Sequence, residues 1–241
     1  MQTAQIALAE HRKPLLIHRQ MPLALPRQKA IVCQRYALPE VEAIIFDMDG
    51  VLVDSRRAAA VALASVARQE GMKADRGAID CALERGNSAV SIVSCLLPHL
   101  NGNANELDRV ARAYTQASLG NMGLIEKTEI AHCLPALSRK FSLAIATNRT
   151  KDAALEILDR LGMLAFFGAV MTLADAPAKP DPRMVLLAVM AIGAGIASSV
   201  FVGDKPSDRM AGKAAGVRTI MVDGARGKIG CLPFLSEFGG R

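Results

Sequence analysis

Three aspartates stand close together in the stretch AIIFDMDGVLVDS, Ala43 to Ser55: Asp47, Asp49 and Asp54. They follow directly on an apolar run. Like charges at that spacing repel unless a cation lies among them. Further along, polar residues recur at the ends of other apolar runs. Thr147, Asn148 and Arg149 follow FSLAIA. Gly203 and Asp204 close SSVFVG, with Asp208 four residues on, and Lys179 sits between prolines in PAKPDP. Taken singly, each has an ordinary explanation. DMDG is plausible turn chemistry, Thr147 a helix cap, Lys179 a loop lysine and Gly203-Asp204 a turn. Their common placement at the ends of strand-like runs is what calls for a joint explanation.

The elements that must position them alternate. VEAIIF (41–46), FSLAIAT (141–147), FFGAVMTL (166–173), SSVFVG (198–203) and VRTIMVD (217–223) have strand length. Between and after them come helical segments at 55–71, 151–162, 182–193 and 207–216, several closed by glycine and the first with Ser55 able to cap it. Alternation of this kind predicts a doubly wound parallel sheet with helices on both faces, an α/β fold. Ligands of such sheets bind beyond the carboxyl ends of the strands. Asp47, Asp49 and Asp204 are therefore expected to converge in one crevice. An all-oxygen set without Cys or His favours Mg²⁺ over Zn²⁺. Such a site keeps room for an anionic group, and Thr147, Asn148 and Lys179 are suitable phosphate partners.

Roughly seventy residues between the first helix and FSLAIAT do not alternate. GAIDCALERGNSAVSIVSCLL and NELDRVARAYTQASLGNMG have helical spacing, so a helical insertion is expected.

Composition bounds the rest. The chain has 241 residues, 51% of them hydrophobic, no Trp and two Tyr, with a mean hydropathy of +0.24. That suffices for a sizeable core and offers few faces for stacking single-stranded nucleic acid. The net charge is +6, but the first forty residues carry +4 of it, so the remainder is nearly neutral. Five scattered cysteines without a C-x-x-C pair suggest a reduced, cytoplasmic setting. No apolar run reaches the roughly 20 residues of a membrane span. Residues 1–39, basic and broken by Pro14, Pro22, Pro26 and Pro39, read as a flexible or loosely docked extension. A targeting peptide, or a true start at Met21 or later, would account for them too.

With these motifs in place, DMDGVLVDS, IATN, AKPDP and VGDKPSD, the sequence resembles the haloacid dehalogenase superfamily, in particular its phosphoglycolate-phosphatase-like and β-phosphoglucomutase-like members. The likeness runs from about Val41 to Asp223. It implies a Rossmann-like core at 40–56 and 135–241 and a small helical cap at 57–134. It implies that Asp47 is the nucleophile, forming an aspartyl-phosphate, and that Asp49 is the general acid and then the base. Thr147 and Lys179 hold the phosphate. Asp47, Asp204 and the backbone carbonyl of Asp49 bind Mg²⁺, and Asp208 orders the last motif or a metal-bound water. An aspartate at position 49 points to C–O–P rather than carbon–halogen or phosphonate chemistry.

Arg85, Gly86 and Asn87 in ERGNSA stand where related caps carry a substrate loop; a plain helix–helix turn is the alternative. The expected activity is Mg²⁺-dependent hydrolysis of a small soluble phosphomonoester, phosphoglycolate-like or a sugar phosphate. A sugar-phosphate mutase shares all four motifs, and a catalytically inactive regulatory or binding module is the remaining alternative. The expected partner is a small phosphorylated metabolite, with no nucleic acid or membrane, in a monomer or homodimer. Two features depart from the pattern: Lys205 and Pro206 beside Asp204, and the N-terminal extension.

Overall fold

The computed structural model describes residues 41–223; the N-terminal extension and the chain after Asp223 lie outside them. Five parallel strands form the main sheet: β1 (Ala43–Phe46), β4 (Ser142–Ala146), β5 (Ala169–Met171), β6 (Ser199–Gly203) and β7 (Arg218–Met221), in the order β5-β4-β1-β6-β7. The central strand β1 pairs on both sides, Phe46 lying between Ile145 and Val202, and every β1 residue is buried. The chain runs outward from β1 to β5 and then crosses back to β6 and β7, so the winding reverses at β1.

Alternate strand residues supply two separate cores, as the two-residue repeat of a strand requires. Ile44, Phe46, Leu143, Ile145, Val200 and Val202 pack on one face with Ile157 and Leu158 of α6 (Lys151–Arg160). Ile45, Ala144, Ala146 and Phe201 pack on the other with Met184 and Val185 of α7 (Arg183–Ala191) and Ala211 of α8 (Pro206–Ala214). Helices on both faces explain why the strands read as continuous apolar runs rather than alternating ones. The expected doubly wound α/β fold is the fold observed.

Four helices, α1 (Arg56–Gln69), α2 (Arg76–Arg85), α3 (Ala89–Leu96) and α4 (Ala104–Gly120), share a third core built on Ala62, Leu63, Val66, Val93, Leu97 and Val110. A two-stranded antiparallel ribbon leads into and out of this cap, β2 (Val53–Asp54) against β3 (Glu126–Lys127). The sequence does not announce it, because two residues per strand carry no period. Met122, Ile125, Ile130, Ala131 and Leu134 pack with the β1 core rather than with the helices. They fall inside the sequence division at 57–134, yet the helical core ends before them. A further short helix, α5 (Leu134–Leu137), precedes β4. No helix among the described residues is long and apolar enough to cross a membrane.

Candidate active site

The carboxyl ends of β1, β4 and β6 open into a cleft of about 170 Å³ roofed by the cap. Asp47 enters it as the first residue after β1, its amide donating to the Val202 carbonyl at 2.8 Å. Its side chain is buried, and Lys179 Nζ donates to its Oδ1 at 2.6 Å. The same ammonium lies 2.7 Å from Oδ1 of the buried Asp208 and 5.4 Å above the centre of the Phe201 ring. Burial alone would lower the Lys179 pKa, but Asp47 and Asp208 outweigh it, so the lysine is held firmly protonated. The other oxygen of Asp208 accepts from the amides of Asp204 and Lys205, at 3.1 and 2.9 Å. Asp208 thus ties the loop after β6 to Lys179, a contact set that orders the stretch around Asp204.

Asp204 is the group without a partner. Its Oδ1 is buried and makes no hydrogen bond. Carboxylate oxygens of Asp47, Asp204 and Asp208 lie within 4.8 Å of one another. Burial first, then the charges of Asp47 and Asp208, push Asp204 up to about 8. Burial first, against the opposing charge of Lys179, pushes Asp47 up to about 7. Gly50 makes this crowding possible. Its φ is +78°, and a Cβ there would come within 2.1 Å of Asp204 Oδ2. The glycine of DMDG is thus more than a turn residue, since it leaves space for a carboxylate from another strand.

An orphaned buried carboxylate oxygen beside two further carboxylates is the environment a hard cation completes. The donors are all oxygen, which fits Mg²⁺. Asp47 and Asp204 are free to hold it, whereas both oxygens of Asp208 are already engaged.

Asp49 faces a different partner. Arg149 grips it with two hydrogen bonds, Nε to Oδ2 and a terminal nitrogen to Oδ1, both 2.7 Å. The Ser55 hydroxyl also donates to Oδ1. Ser55 makes no side-chain cap on α1, contrary to its expected role; its hydroxyl is turned toward Asp49 instead. Burial would raise the Asp49 pKa, but Arg149 and Ser55 hold it below the usual carboxylate range. The sequence assigns Arg149 no task of its own; the signal for one is that a partly buried Asp49 needs a cation and that β4 ends one strand away.

Thr147 is buried at the end of β4 and lines the cleft, its Oγ1 accepting from the Arg149 amide at 3.3 Å. Asn148 lines it too, but its amide is occupied. Its Nδ2 donates to the carbonyls of Asn87 (2.8 Å) and Lys179 (3.3 Å), and its Oδ1 accepts from the Lys179 amide at 2.8 Å. It clamps the Lys179 loop and touches the cap, instead of offering a donor to phosphate.

Of the cap residues expected to face substrate, Asn87 lines the cleft. Arg85 ends α2 exposed and outside the lining, so the guanidinium expected over the crevice is not there. Gly86 is buried, where a Cβ would come within 2.3 Å of Ile92 Cγ1, so close packing accounts for the glycine. Two cleft residues of α4, Tyr114 and Ser118, had no distinguishing signal, since Tyr114 at an apolar helix position reads as core. Lys205, one of the two departures, reaches the cap. Its Nζ donates to the carbonyls of Gly86 at 2.8 Å and Leu83 at 3.4 Å, the carboxyl end of α2.

A family model described as haloacid dehalogenase-like hydrolase matches residues 44–222. The chain belongs to that family. Among curated hydrolase relatives, a phosphoglycolate phosphatase of Caulobacter vibrioides is 28% identical over 198 residues, spanning 74% of this chain and 78% of that protein. The pyrophosphatase PpaX of Halalkalibacterium halodurans is 26% identical over 191 residues, 76% of this chain and 84% of its own. Among solved structures, a haloacid dehalogenase-like hydrolase of Streptococcus pneumoniae superposes with a TM-score of 0.65 at 18% identity, covering 81% of this chain and 91% of that one. A hydrolase of Pseudomonas syringae gives 0.64 at 23%, covering 83% and 91%. At these identities the structural likeness speaks for the fold.

Proposed function

We propose that this hydrolase is a Mg²⁺-dependent phosphatase that cleaves a small phosphomonoester through an aspartyl-phosphate on Asp47. The observation that carries the reading is the unpartnered, buried Asp204 Oδ1 beside the Asp47 carboxylate, which Lys179 also holds. Two named phosphatases among the relatives support the class of reaction.

Asp47, Asp204 and the Asp49 backbone carbonyl would hold Mg²⁺, which when bound supplies positive charge to the carboxylates and to the phosphate oxygens. The chain's own groups do the rest. A carboxylate oxygen of Asp47 attacks phosphorus in line, and the ester P–O bond breaks. Asp49 gives its proton to the leaving oxygen, so an alcohol departs. Water then attacks the phosphorus of the aspartyl-phosphate and gives its proton to Asp49. Inorganic phosphate leaves, and the Asp47 carboxylate is restored.

Lys179 neutralises charge on the phosphoryl oxygens while keeping the attacking carboxylate aligned. Thr147 Oγ1 lines the same end of the cleft. With its carboxylate gripped by Arg149 and Ser55, Asp49 is an anion, the form the second step requires. The first step requires it to take up a proton and loosen from Arg149.

The test is turnover of p-nitrophenyl phosphate and a panel of phosphorylated metabolites, with Mg²⁺ and after EDTA. Release of inorganic phosphate with Mg²⁺ alone supports the reading. Full activity in metal-free protein, or transfer of phosphate between sugar positions without release, would refute it.

A further inference from the structure

The two walls of the cleft differ in kind. Among the described residues, those lining it from the cap helices include no charged side chain apart from Arg56 at the start of α1. They offer apolar surface and hydroxyls. Two of the hydroxyls are unclaimed. Tyr114 and Ser118 are 6% and 4% exposed, and both line the cleft. They stand four residues apart on α4 and so share one face of the helix. Neither the phenol nor the Ser118 hydroxyl makes a hydrogen bond. Thr115 between them has already given its proton to the Ala111 carbonyl at 3.0 Å. Neither oxygen is fully enclosed, so each is open to solvent, and a ligand oxygen in the cleft can replace that water. Burial pushes the Tyr114 phenol up to about 12, so it remains a neutral donor throughout the working range.

The cations of the cleft are, by contrast, committed. Lys179 holds Asp47 and Asp208, Arg149 holds Asp49, and Lys205 holds the end of α2. Only Arg56, exposed at the start of α1, lines the cleft without such an engagement among the described residues.

We propose that Tyr114 and Ser118 are specificity-determining residues that hydrogen-bond hydroxyl groups of an uncharged leaving group. The substrate is then the phosphomonoester of a small polyhydroxy alcohol or sugar rather than of a hydroxy acid. This rests on the phosphatase reading above and chooses within it.

Two matched pairs test it, each differing by CH₂OH in place of a carboxylate: 2-hydroxyethyl phosphate against 2-phosphoglycolate, and glycerol 3-phosphate against 3-phosphoglycerate. In each pair the alcohol is expected to have the higher kcat/KM by about tenfold or more. Tyr114→Phe and Ser118→Ala should each lower kcat/KM for the alcohols by about tenfold, and leave p-nitrophenyl phosphate, which has no hydroxyl, within about threefold. Their melting temperatures should stay close to wild type, since each loses a hydroxyl that has no partner in the protein. Preference for the acid in either pair, equal losses on p-nitrophenyl phosphate, or a clear fall in melting temperature overturns the assignment while leaving the phosphatase reading intact. Absence of Mg²⁺-dependent hydrolysis of every ester, p-nitrophenyl phosphate included, overturns both.

Discussion

The core wall and the cap wall of one cleft are built on opposite electrostatic plans. On the core wall every charged group with a catalytic assignment is fixed by another charge, Asp47 by Lys179, Asp49 by Arg149, with Asp204 left for a cation. On the cap wall the lining between Ala59 and Ser118 is uncharged. The difference follows from what each wall must do. Moving a phosphoryl group demands preorganised charge at fixed points, which only rigid strand ends provide. Selecting a leaving group demands shape and a few directed hydrogen bonds, which a helix face can supply without disturbing that field. Substitutions on the two walls should therefore fail in different ways.

The largest effect belongs to the core wall. Asp47→Asn keeps the shape of the side chain but removes the attacking oxygen's charge and a cation ligand. Turnover of every phosphomonoester should fall by about a thousandfold or more, with the far-ultraviolet circular dichroism unchanged. Residual activity above a few per cent of wild type would remove Asp47 from the role of nucleophile.

Metal removal comes next and carries a pH signature. In metal-free protein, Asp47 at about 7 and Asp204 at about 8 keep protons that the unfolded chain releases near pH 4. At these two sites the folded state then binds more protons, so their contribution to stability is fully present below about pH 4 and is lost as pH rises to about 8. Mg²⁺ bound as proposed would replace those protons. It should raise the melting temperature clearly at about pH 8 and little at about pH 5.5. An equal shift at both would place the cation away from these carboxylates.

That the core wall is so charged was legible in the sequence, and the cap wall was not, for a physical reason. Asp47, Asp49, Lys179 and Asp204 sit where apolar runs stop, and a parallel sheet brings strand ends together whatever the intervening loops do. Their convergence follows from topology. Arg149 was equally visible, but its partner was not, because which of several nearby carboxylates it grips depends on rotamers that no spacing encodes. The cap offered even less. Helical spacing reveals which face of α4 is buried, but not whether the burial is against the other cap helices or over the cleft. Tyr114 packs with the first and borders the second. Arg85 shows the converse: a guanidinium in a turn invites a functional reading, and one step of helical phase turns it outward. The β2–β3 ribbon escaped for want of length alone.

Arg149→Met probes how the core wall is held. Loss of the guanidinium leaves Asp49 largely buried with only Ser55 as a partner. Breaking a fully buried pair in this way costs about 3–5 kcal/mol, and the partial exposure of this one reduces the expected loss to roughly 1–3 kcal/mol in urea unfolding. The Asp49 pKa should rise, so the acid limb of the rate profile for p-nitrophenyl phosphate should move to higher pH. Unchanged stability together with an unchanged limb would show that the grip is not made in solution.

The smallest effect is expected where the two walls meet. Lys205 stands next to Asp204 yet donates across the cleft to the carbonyls of Gly86 and Leu83, while Asn148 donates to that of Asn87. Both bonds reach backbone atoms of one cap turn, so they hold its position without reading any substrate. Lys205→Met removes one of the two links. A charge-assisted bond in partly wet surroundings is worth about 1 kcal/mol, which corresponds to about a fivefold loss in kcat/KM. Because the position of that turn affects every substrate alike, the loss should be the same for glycerol 3-phosphate and p-nitrophenyl phosphate, and Lys205→Arg should recover part of it. That uniformity separates Lys205 from Tyr114 and Ser118, whose loss is selective. If Lys205→Met instead weakens one ester and spares the other, the lysine touches the leaving group, and the cap wall is not as free of charge in the working enzyme as its lining implies.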